Sequence, residues 1–289
     1  MRRRRLPSRL TRTPGRRPRR GASLVELLVG VVVLGIIGAA SVKLLVSQTG
    51  FYDVHLKQRS ARSVSRAAVN MMLADIRMVE STGGVEAVSA TAVTLRVPYA
   101  MGMVCGTVGS LTVVALLPAD STTTANATPS GHAWRDINGN YTYTNSTVAS
   151  VAGGGFVCSL ANISAVPDGR VVTMTPAVPA GAVAGDAVLL YQRVRYEFGA
   201  SSALPGRTAL WRTIVDTNAR EELAAPFQSS ARFRFFQFDR DTSDVTANAS
   251  DVRGLELVLD GESQSARAGT SVRERSPYRT AVFFNNRVN

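Results

Sequence analysis

The chain has 289 residues, 45% of them hydrophobic, with 24 glycines and 12 prolines. This composition excludes a wholly disordered protein and leaves room for one or two folded domains. The net charge of +12 would suit a nucleic-acid or anionic-membrane binder if it were spread over the chain. Ten arginines and no acid lie in residues 1–21, however, and the remainder carries 23 basic and 21 acidic residues, so the basicity belongs to the N-terminal segment.

The N-terminal segment, residues 1–21, contains Pro7, Pro14 and Pro18, which disfavour a helix. It is predicted to be a solvated tail. Beside an apolar span, such a tail stays in the cytoplasm by the positive-inside rule, and the chain after the span crosses the membrane. A nucleic-acid-binding arm is the alternative, but no aromatic residue alternates with these arginines, so we predict no direct nucleic-acid binding.

An apolar segment follows at residues 24–46, in which Glu26 and Lys43 are the only charged residues. About 20 residues at roughly 1.5 Å per residue cover the roughly 30 Å of bilayer hydrocarbon, so this segment is predicted to cross a membrane. A secretory signal peptide cleaved before Ser41 is the alternative. It leaves Glu26 unexplained, because a carboxylate in an apolar segment costs on the order of a few kcal/mol without an opposite charge nearby.

Cleavage after Gly21 would supply that opposite charge. Ala22 becomes the new N-terminus, and its amine lies four residues, or one helical turn, before Glu26 on the same helix face. The amine could pair with Glu26 of its own chain or with Glu26 of a neighbouring subunit, as a buried polar pair sets register in a coiled coil. Assembly would then neutralise both charges.

The segment "RRGASLVELLVG", residues 19–30, resembles the prepilin leader of type IV pilins and type II secretion pseudopilins. The resemblance implies that a membrane-embedded prepilin peptidase cleaves after Gly21 and methylates the amine of Ala22. It also implies that Glu26 is the carboxylate used in assembly. One departure is Ala22 itself, because phenylalanine or methionine is commoner at that position in the family.

The apolar pattern continues as an amphipathic helix in residues 47–79, which contain no proline and a single glycine, Gly50. We predict a long helical segment at residues 22–82, in which a continuous helix of about 57 residues, roughly 85 Å long, is ended by "STGG" at residues 81–84. Residues 22–46 are assigned to the membrane or filament core, and residues 47–80 to packing on a globular domain. Apolar residues recur there at steps of three and four: Val64, Ala68, Met71, Met72, Ile76 and Val79.

The region after Gly84 is predicted to form an extracytoplasmic, β-rich head domain, residues 85–289. The fold class is therefore α+β, with the long N-terminal helix packed on an antiparallel two-sheet or barrel-like domain. Residues 118–155, rich in Ser, Thr, Asn and Gly, are predicted to be a surface loop. Strands are predicted at residues 91–97, 111–117, 170–175 and 187–198, and at 232–238, where Phe233, Phe235 and Phe238 are the apolar side.

Two further stretches narrow the resemblance to W-type minor pilins and J-type minor pseudopilins. One is the stretch of residues 51–81, which ends near "LADIRM" and in which the similarity is carried by Phe51, Tyr52, Asp75, Ile76 and Arg77. The other comprises "VRYEF", "REEL", "FRFFQF" and a final "NNR". Together with the leader, the similarity is strong over residues 19–80 and loose over residues 190–288.

This resemblance implies a minor subunit that primes or caps a type IV pilus or a type II secretion pseudopilus. The implied partners are the prepilin peptidase, other major and minor pilins or pseudopilins, the inner-membrane assembly platform, and the membrane around the N-terminal helix. The implied location is the inner membrane, crossed once, with the N-terminus cytoplasmic and the head domain extracytoplasmic.

The two cysteines, Cys105 and Cys158, fall on the side assigned to an oxidising compartment. We predict a disulfide between them, and a loop of that size stabilises the fold by about 4 kcal/mol in the chain-entropy model. Two separate buried thiols are the alternative.

Residues for catalysis are scarce. His55 and His132 are both predicted to be surface residues, and no cysteines or further histidines stand at metal-ligand spacing. "RDINGNY" at residues 135–141 lacks the closing glutamate of a calcium loop, and the aspartates of residues 239–251 are either a calcium site or a solvated loop. We predict no catalytic residue, no metal and no cofactor. The alternative is a membrane-anchored or secreted enzyme or binding module with a leader-like signal.

Overall fold

The computed structural model describes Gly21, residues 23–153 and residues 169–284. Three predicted features therefore lie outside the described residues: most of the basic segment, Ala22 and Cys158. The final "NNR" lies outside them as well. By internal contacts the chain divides into two units, Met1–Tyr52 and Asp53–Asn289.

The first unit contains the N-terminal part of helix α1, Leu24–Ile76. Each described residue of this unit is exposed, including the large apolar side chains from Leu24 to Val46. By length and composition, α1 is the one helix in the described part of the chain that could cross a membrane, a test that a signal sequence near the N-terminus also passes. The helix and its apolar composition fit membrane anchoring.

Helix α1 ends at Ile76, earlier than the predicted residue 82. The amides of Met78 and Val79 donate to carbonyls three residues back, which tightens the chain into a turn. Val79 is nevertheless fully buried, so the apolar spacing continues past the end of the helix. Gly83 then adopts a positive φ of 76°, which favours glycine.

The second unit is a large antiparallel sheet of thirteen strands in the described residues. A short helix α2, Pro118–Ala125, lies between the third and fourth strands. In chain order the strands are β1 Val85–Val88, β2 Ala92–Val108, β3 Leu111–Leu116, β4 Gly131–Arg135, β5 Tyr141–Asn145, β6 Thr147–Gly153, β7 Arg170–Thr175, β8 Ala187–Ala200, β9 Thr208–Ile214, β10 Ala219–Phe227, β11 Arg232–Gln237, β12 Val252–Glu262 and β13 Arg275–Phe283.

The main strand order is β11-β12-β10-β9-β8-β2-β3-β7-β6. In addition, β1 pairs with β2, β13 with β12, and β4 with both β5 and β8. The amide of Phe233 in β11 donates to the carbonyl of Ala90, in the turn before β2, at 2.8 Å. The sheet therefore curls back on itself. The predicted α+β class is confirmed, and the one continuous, curled sheet is closer to the barrel-like form than to two separate sheets.

Two apolar clusters form the core of the second unit, and the long strands β2 and β8 contribute to both. The first cluster packs α1 on the sheet through Ala68, Val69, Met72 and Ile76. Met71, which the pattern had placed on the same side, is 48% exposed, so that part of the prediction is wrong. The second cluster joins β2, β3, β7 and β8 through Ala100, Val104, Val114, Leu116, Val172, Met174, Val188 and Leu190.

The predicted alternation in β11 holds for two of its three aromatic residues. Phe233 and Phe235 are fully buried, whereas Phe238 lies beyond the end of the strand and is 42% exposed. Gln237 marks a register irregularity against β12, so the period of two does not extend to Phe238.

The polar stretch at residues 118–155 is not the surface loop that its composition predicted. It contains α2, β4, β5 and β6. His132, predicted at the surface, is fully buried in β4, a strand that pairs with β8 and with β5. The prediction was wrong because it rested on the Ser, Thr and Asn content around His132, which is typical of a loop. The pairing of β4 with β5 and β8 cannot be seen in that composition.

Candidate processing and assembly site

The residues around the predicted cleavage position precede the first turn of α1. The amides of Glu26 and Leu27 donate to the carbonyl of Ser23 at 2.9 and 3.1 Å, so the helix starts immediately after Ser23. Gly21 is exposed, and no heavy atom lies within 4 Å of the position of a Cβ added there. Gly21, the predicted cleavage position, is therefore not covered by any described residue.

Glu26 lies in the first turn of α1, where the positive end of the helix dipole stabilises a carboxylate by about 0.3–1 kcal/mol. Its side chain is exposed, and no described residue forms an ion pair with it. Ala22, the residue whose amine was predicted as its partner, lies outside the described residues. In the unprocessed chain that amine is a peptide nitrogen, so the positive charge arises only by cleavage.

Comparison with known proteins supports this interpretation of the N-terminus. Residues 16–42 match the family model described as the prokaryotic N-terminal methylation motif. The matched segment includes Gly21, Ala22 and Glu26 and most of the apolar segment. No curated protein matches the chain, and no solved structure matches it.

The chain thus carries a prepilin-type N-terminal methylation motif, followed by an apolar helix and a β-sheet domain. This combination supports a pilin-type or pseudopilin-type protein, a structural class whose members are processed by a peptidase and assemble with one another.

The end of α1 is tied to the sheet through Asp75. Its Oδ2 accepts hydrogen bonds from the hydroxyl of Tyr196 in β8, at 2.5 Å, and from Nε of Arg212 in β9, at 3.1 Å. Burial, and then the charge of Asp75, raises the pKa of Tyr196, so its hydroxyl stays protonated and donates. Burial by itself would lower the pKa of Arg212, but the charges and hydrogen bonds of Asp75 and Tyr196 together outweigh it and raise that pKa.

The other residues of the helix resemblance lie apart from this contact. Ile76 is buried in the first apolar cluster, and Arg77 is exposed. Phe51 and Tyr52 are exposed in the first unit, where their rings stand edge to face at 6.4 Å. The sequence singled out Asp75 but not Tyr196 or Arg212, because its partners lie more than 120 residues away and no local pattern marks them.

Only one of the two cysteines of the predicted disulfide lies in the described residues. Cys105 is buried in β2, and no described cysteine is a free thiol. Cys158 lies outside the described residues, so the pairing of Cys105 with Cys158 stays a prediction.

The histidines do not combine into a reactive site in the described part of the chain. Nδ1 of His132 lies 3.0 Å from Oγ of Ser146, and its Nε2 has no hydrogen-bond partner among the described residues. Burial lowers the pKa of His132 to about 4, so the ring is neutral at physiological pH. His55 is exposed on α1, as predicted.

No group of three or more His, Cys, Asp or Glu side chains within the described ranges could hold a metal ion. Three aspartates of the possible calcium site at residues 239–251 lie beside arginines instead: Asp239 and Asp244 near Arg240, and Asp241 paired with Arg253 at 3.1 Å. The fourth, Asp251, accepts a hydrogen bond from the hydroxyl of Ser250. In "RDINGNY", Asp136 accepts hydrogen bonds from the amides of Asn138 and Asn140, which closes a tight turn.

Proposed function

We propose that the chain is a minor pilin or pseudopilin, cleaved after Gly21 and methylated at Ala22. As a structural subunit it primes assembly of, or caps, a type IV pilus or a type II secretion pseudopilus. The observation that carries this proposal is the match of residues 16–42 to the N-terminal methylation motif. The open position of Gly21 and the start of α1 after Ser23 support it.

The proposed location is the inner membrane, crossed once by α1. The ten arginines before residue 22 hold the N-terminus in the cytoplasm, which directs the sheet domain, residues 85–289, to the extracytoplasmic side. The proposed partners are the prepilin peptidase, other major and minor pilins or pseudopilins, and the inner-membrane assembly platform.

Exposed apolar surface in the first unit explains why such partners are needed. The described residues of α1 up to Tyr52 are exposed along every face of the helix. An apolar surface of this extent requires cover from lipid before assembly and from neighbouring helices afterwards. Glu26 is the one carboxylate in that surface, and the amine of Ala22 would neutralise it.

The narrower likeness to W-type minor pilins and J-type minor pseudopilins favours a minor rather than a major subunit. It is carried by residues 51–81 and by the strand segments of β8, β10 and β11. Asp75, one of its residues, fixes α1 to two strands of the sheet, which gives the likeness a structural role at that position.

The processing step is tested by intact mass and N-terminal peptide analysis of the protein purified from membranes of its host. The expected mature chain begins with a methylated Ala22. The same protein made without the prepilin peptidase is expected to keep residues 1–21. A chain that begins at Ser41, or that keeps its leader in the presence of the peptidase, would contradict the proposal.

The role of Glu26 is tested by Glu26→Ala. We expect the variant to be inserted and cleaved, but to co-purify with other filament subunits at least about tenfold less, because the buried amine loses its counter-ion. The matched control is Lys43→Gln, which removes the other charge of the apolar segment and is expected to assemble normally. Equal recovery of Glu26→Ala and the unaltered chain with filament partners would refute this role.

A further inference from the structure

A row of arginines lies on the solvent-facing side of α1 in the second unit. Arg59, Arg62 and Arg66 are exposed and follow one another at steps of three and four, so they share one helix face over about 10 Å. The opposite face, with Ala61, Ser65, Ala68 and Met72, is buried against the sheet. We call these three residues the arginine row.

No carboxylate on α1 is available to pair with the arginine row. Residues 54–74 contain no Asp or Glu, and the acids at both ends are engaged: Asp53 with Lys57 and the amide of Ala268, and Asp75 with strands β8 and β9. Within the described ranges, none of the three arginines forms an ion pair. Nine arginines of the strands and their connections do: Arg193, Arg195, Arg207, Arg212, Arg220, Arg234, Arg240, Arg253 and Arg267.

A groove runs beside the arginine row. Its volume is about 520 Å³, and it lies between α1, the connection at residues 202–204 and strand β10. Ser63 and Ala67, which directly follow Arg62 and Arg66, line its helix side together with Val64. Most of the remaining lining is apolar: Ala203, Leu204, Leu223, Ala224 and Ala225.

The one carboxylate in the groove is already satisfied within the chain. Glu222 accepts hydrogen bonds from the hydroxyls of Ser201 and Ser202 and from the amide of Ser202. Burial by itself would raise the pKa of Glu222, but these hydrogen bonds outweigh it and lower the pKa. An occupant therefore meets an apolar lining on one side and, on the other, positive charge that no described residue pairs.

We propose that the groove and the arginine row together bind an acidic amphipathic segment of a neighbouring pilin-type subunit. Apolar side chains of that segment enter the groove, and carboxylates spaced three and four residues apart face Arg59, Arg62 and Arg66. The argument is charge complementarity: a helix with Asp or Glu at such steps matches the row residue for residue. This inference rests on the proposed function, since it names the partner class of the same subunit.

Photo-crosslinking in the host tests the contact. Benzoylphenylalanine replaces Ser63 in the full-length chain, and the crosslinked peptide is identified by mass spectrometry. We expect a peptide from a different chain with a prepilin-type leader, bearing acidic residues at steps of three and four beside apolar ones. Arg62→Glu combined with Arg66→Glu is expected to lower the crosslinking yield about tenfold, since attraction becomes repulsion.

The matched control is Arg275→Glu combined with Arg279→Glu. It makes the same change in charge at exposed arginines of β13 that also lack ion pairs among the described residues. The control is expected to keep the yield within about twofold, and both double variants to keep the thermal midpoint within about 2 °C, as exposed substitutions do.

Several outcomes would overturn the inference: an unchanged yield in the Arg62 and Arg66 double variant, or crosslinks only to lipid, to a second copy of this chain or to a protein without a prepilin-type leader. Intact mass of the same sample separates this failure from failure of the proposed function. A chain that begins at methylated Ala22 but gives no such crosslink contradicts the docking surface alone. A chain that keeps its leader contradicts the proposed function.

Discussion

Asp75 joins three elements of the second unit, because its carboxylate accepts from Tyr196 on β8 and from Arg212 on β9 while it lies on α1. Its side chain is 17% exposed and that of Arg212 is 26% exposed, so water screens the pair only partly. Removal of the carboxylate leaves a buried hydroxyl and a half-buried guanidinium without their acceptor. A buried polar group left without its partner lowers the free energy of unfolding by more than the intact interaction raises it.

We therefore expect Asp75→Ala to lower the free energy of unfolding by about 2 kcal/mol, measured by denaturant titration of the full chain in detergent. Arg195→Ala is the control. It breaks an ion pair with Glu197 in which Arg195 is 49% exposed, and such surface pairs contribute less than about 1 kcal/mol. A loss from Asp75→Ala no greater than that from Arg195→Ala would show that Asp75 does not hold the helix end.

His132 gives the fold a pH dependence. Its pKa is about 4 in the folded protein, because the ring is buried, against about 6.5 in the unfolded chain. The unfolded state therefore binds the proton first as the pH falls. The stabilisation is fully present above about pH 6.5 and is lost progressively down to about pH 4.

A non-titrating variant, His132→Asn, keeps a polar group near Ser146 and isolates this effect. Between pH 7 and pH 4, we expect the unaltered chain to lose about 3 kcal/mol more unfolding free energy than the variant, as the shift in pKa requires. Urea unfolding of both proteins at several pH values measures the difference. If the unfolding free energies of the two proteins changed with pH in the same way, His132 would not be the source of the pH dependence.

Residues that belong to a short local motif could be predicted from the sequence. Residues whose role depends on partners distant in the chain could not. Gly21 and Glu26 stand in a short motif whose spacing is itself the signal, and the matched segment contains both. Tyr196 and Arg212 acquire their role only when β8 and β9 meet the end of α1. His132 was wrongly placed at the surface because burial depends on which strand lies beside it.

Among the elements, α1 and β12 approach each other closely at Gly261. At Gly261 the strand lies against the carbonyl oxygen of Ala61 and Oγ of Ser65, and an added Cβ would fall inside contact distance of both. Ala61 and Ser65 are small residues of the buried helix face, and Gly261 has no side chain, so the two backbones can approach. A methyl group at position 261 has to push the helix from the sheet.

Gly261→Ala is accordingly expected to lower the free energy of unfolding by about 1–3 kcal/mol, the usual range for overpacking. The control is Gly199→Ala in β8, where a Cβ meets side-chain atoms at ordinary distances of 3.5 Å and more. Thermal or urea unfolding of both variants measures the effect. A Gly261→Ala chain as stable as Gly199→Ala would indicate that the helix can shift without cost.

Most helices and strands in which apolar residues recur with a clear period were predicted, and most of those with polar composition were not. The apolar and amphipathic parts of α1 and strands β2, β3, β7 and β8 follow from spacing and β-branched content. Strands β4 and β5 are short and polar, and they become strands by hydrogen bonding to β8 and to each other. The end of α1 was predicted too late because Val79 keeps the apolar spacing inside a turn.

For the whole molecule, the proposed cleavage after Gly21 would remove most of the net positive charge. It would take away ten arginines and leave 23 basic and 21 acidic side chains. The arginine row on α1 is therefore a local charge on a nearly neutral protein, and it does not belong to a generally basic surface. Its contribution to binding is expected to be set by its immediate partner rather than by long-range attraction.

The pairing of strands β2 and β8 also bears on how this domain would unfold under force. Each runs without a break through both apolar clusters, and the two are paired along most of their length. Neither cluster can come apart without disturbing the hydrogen bonds that support the other, which makes the domain one cooperative unit. We therefore expect the domain to unfold under tension in a single step, without losing one half of its sheet first.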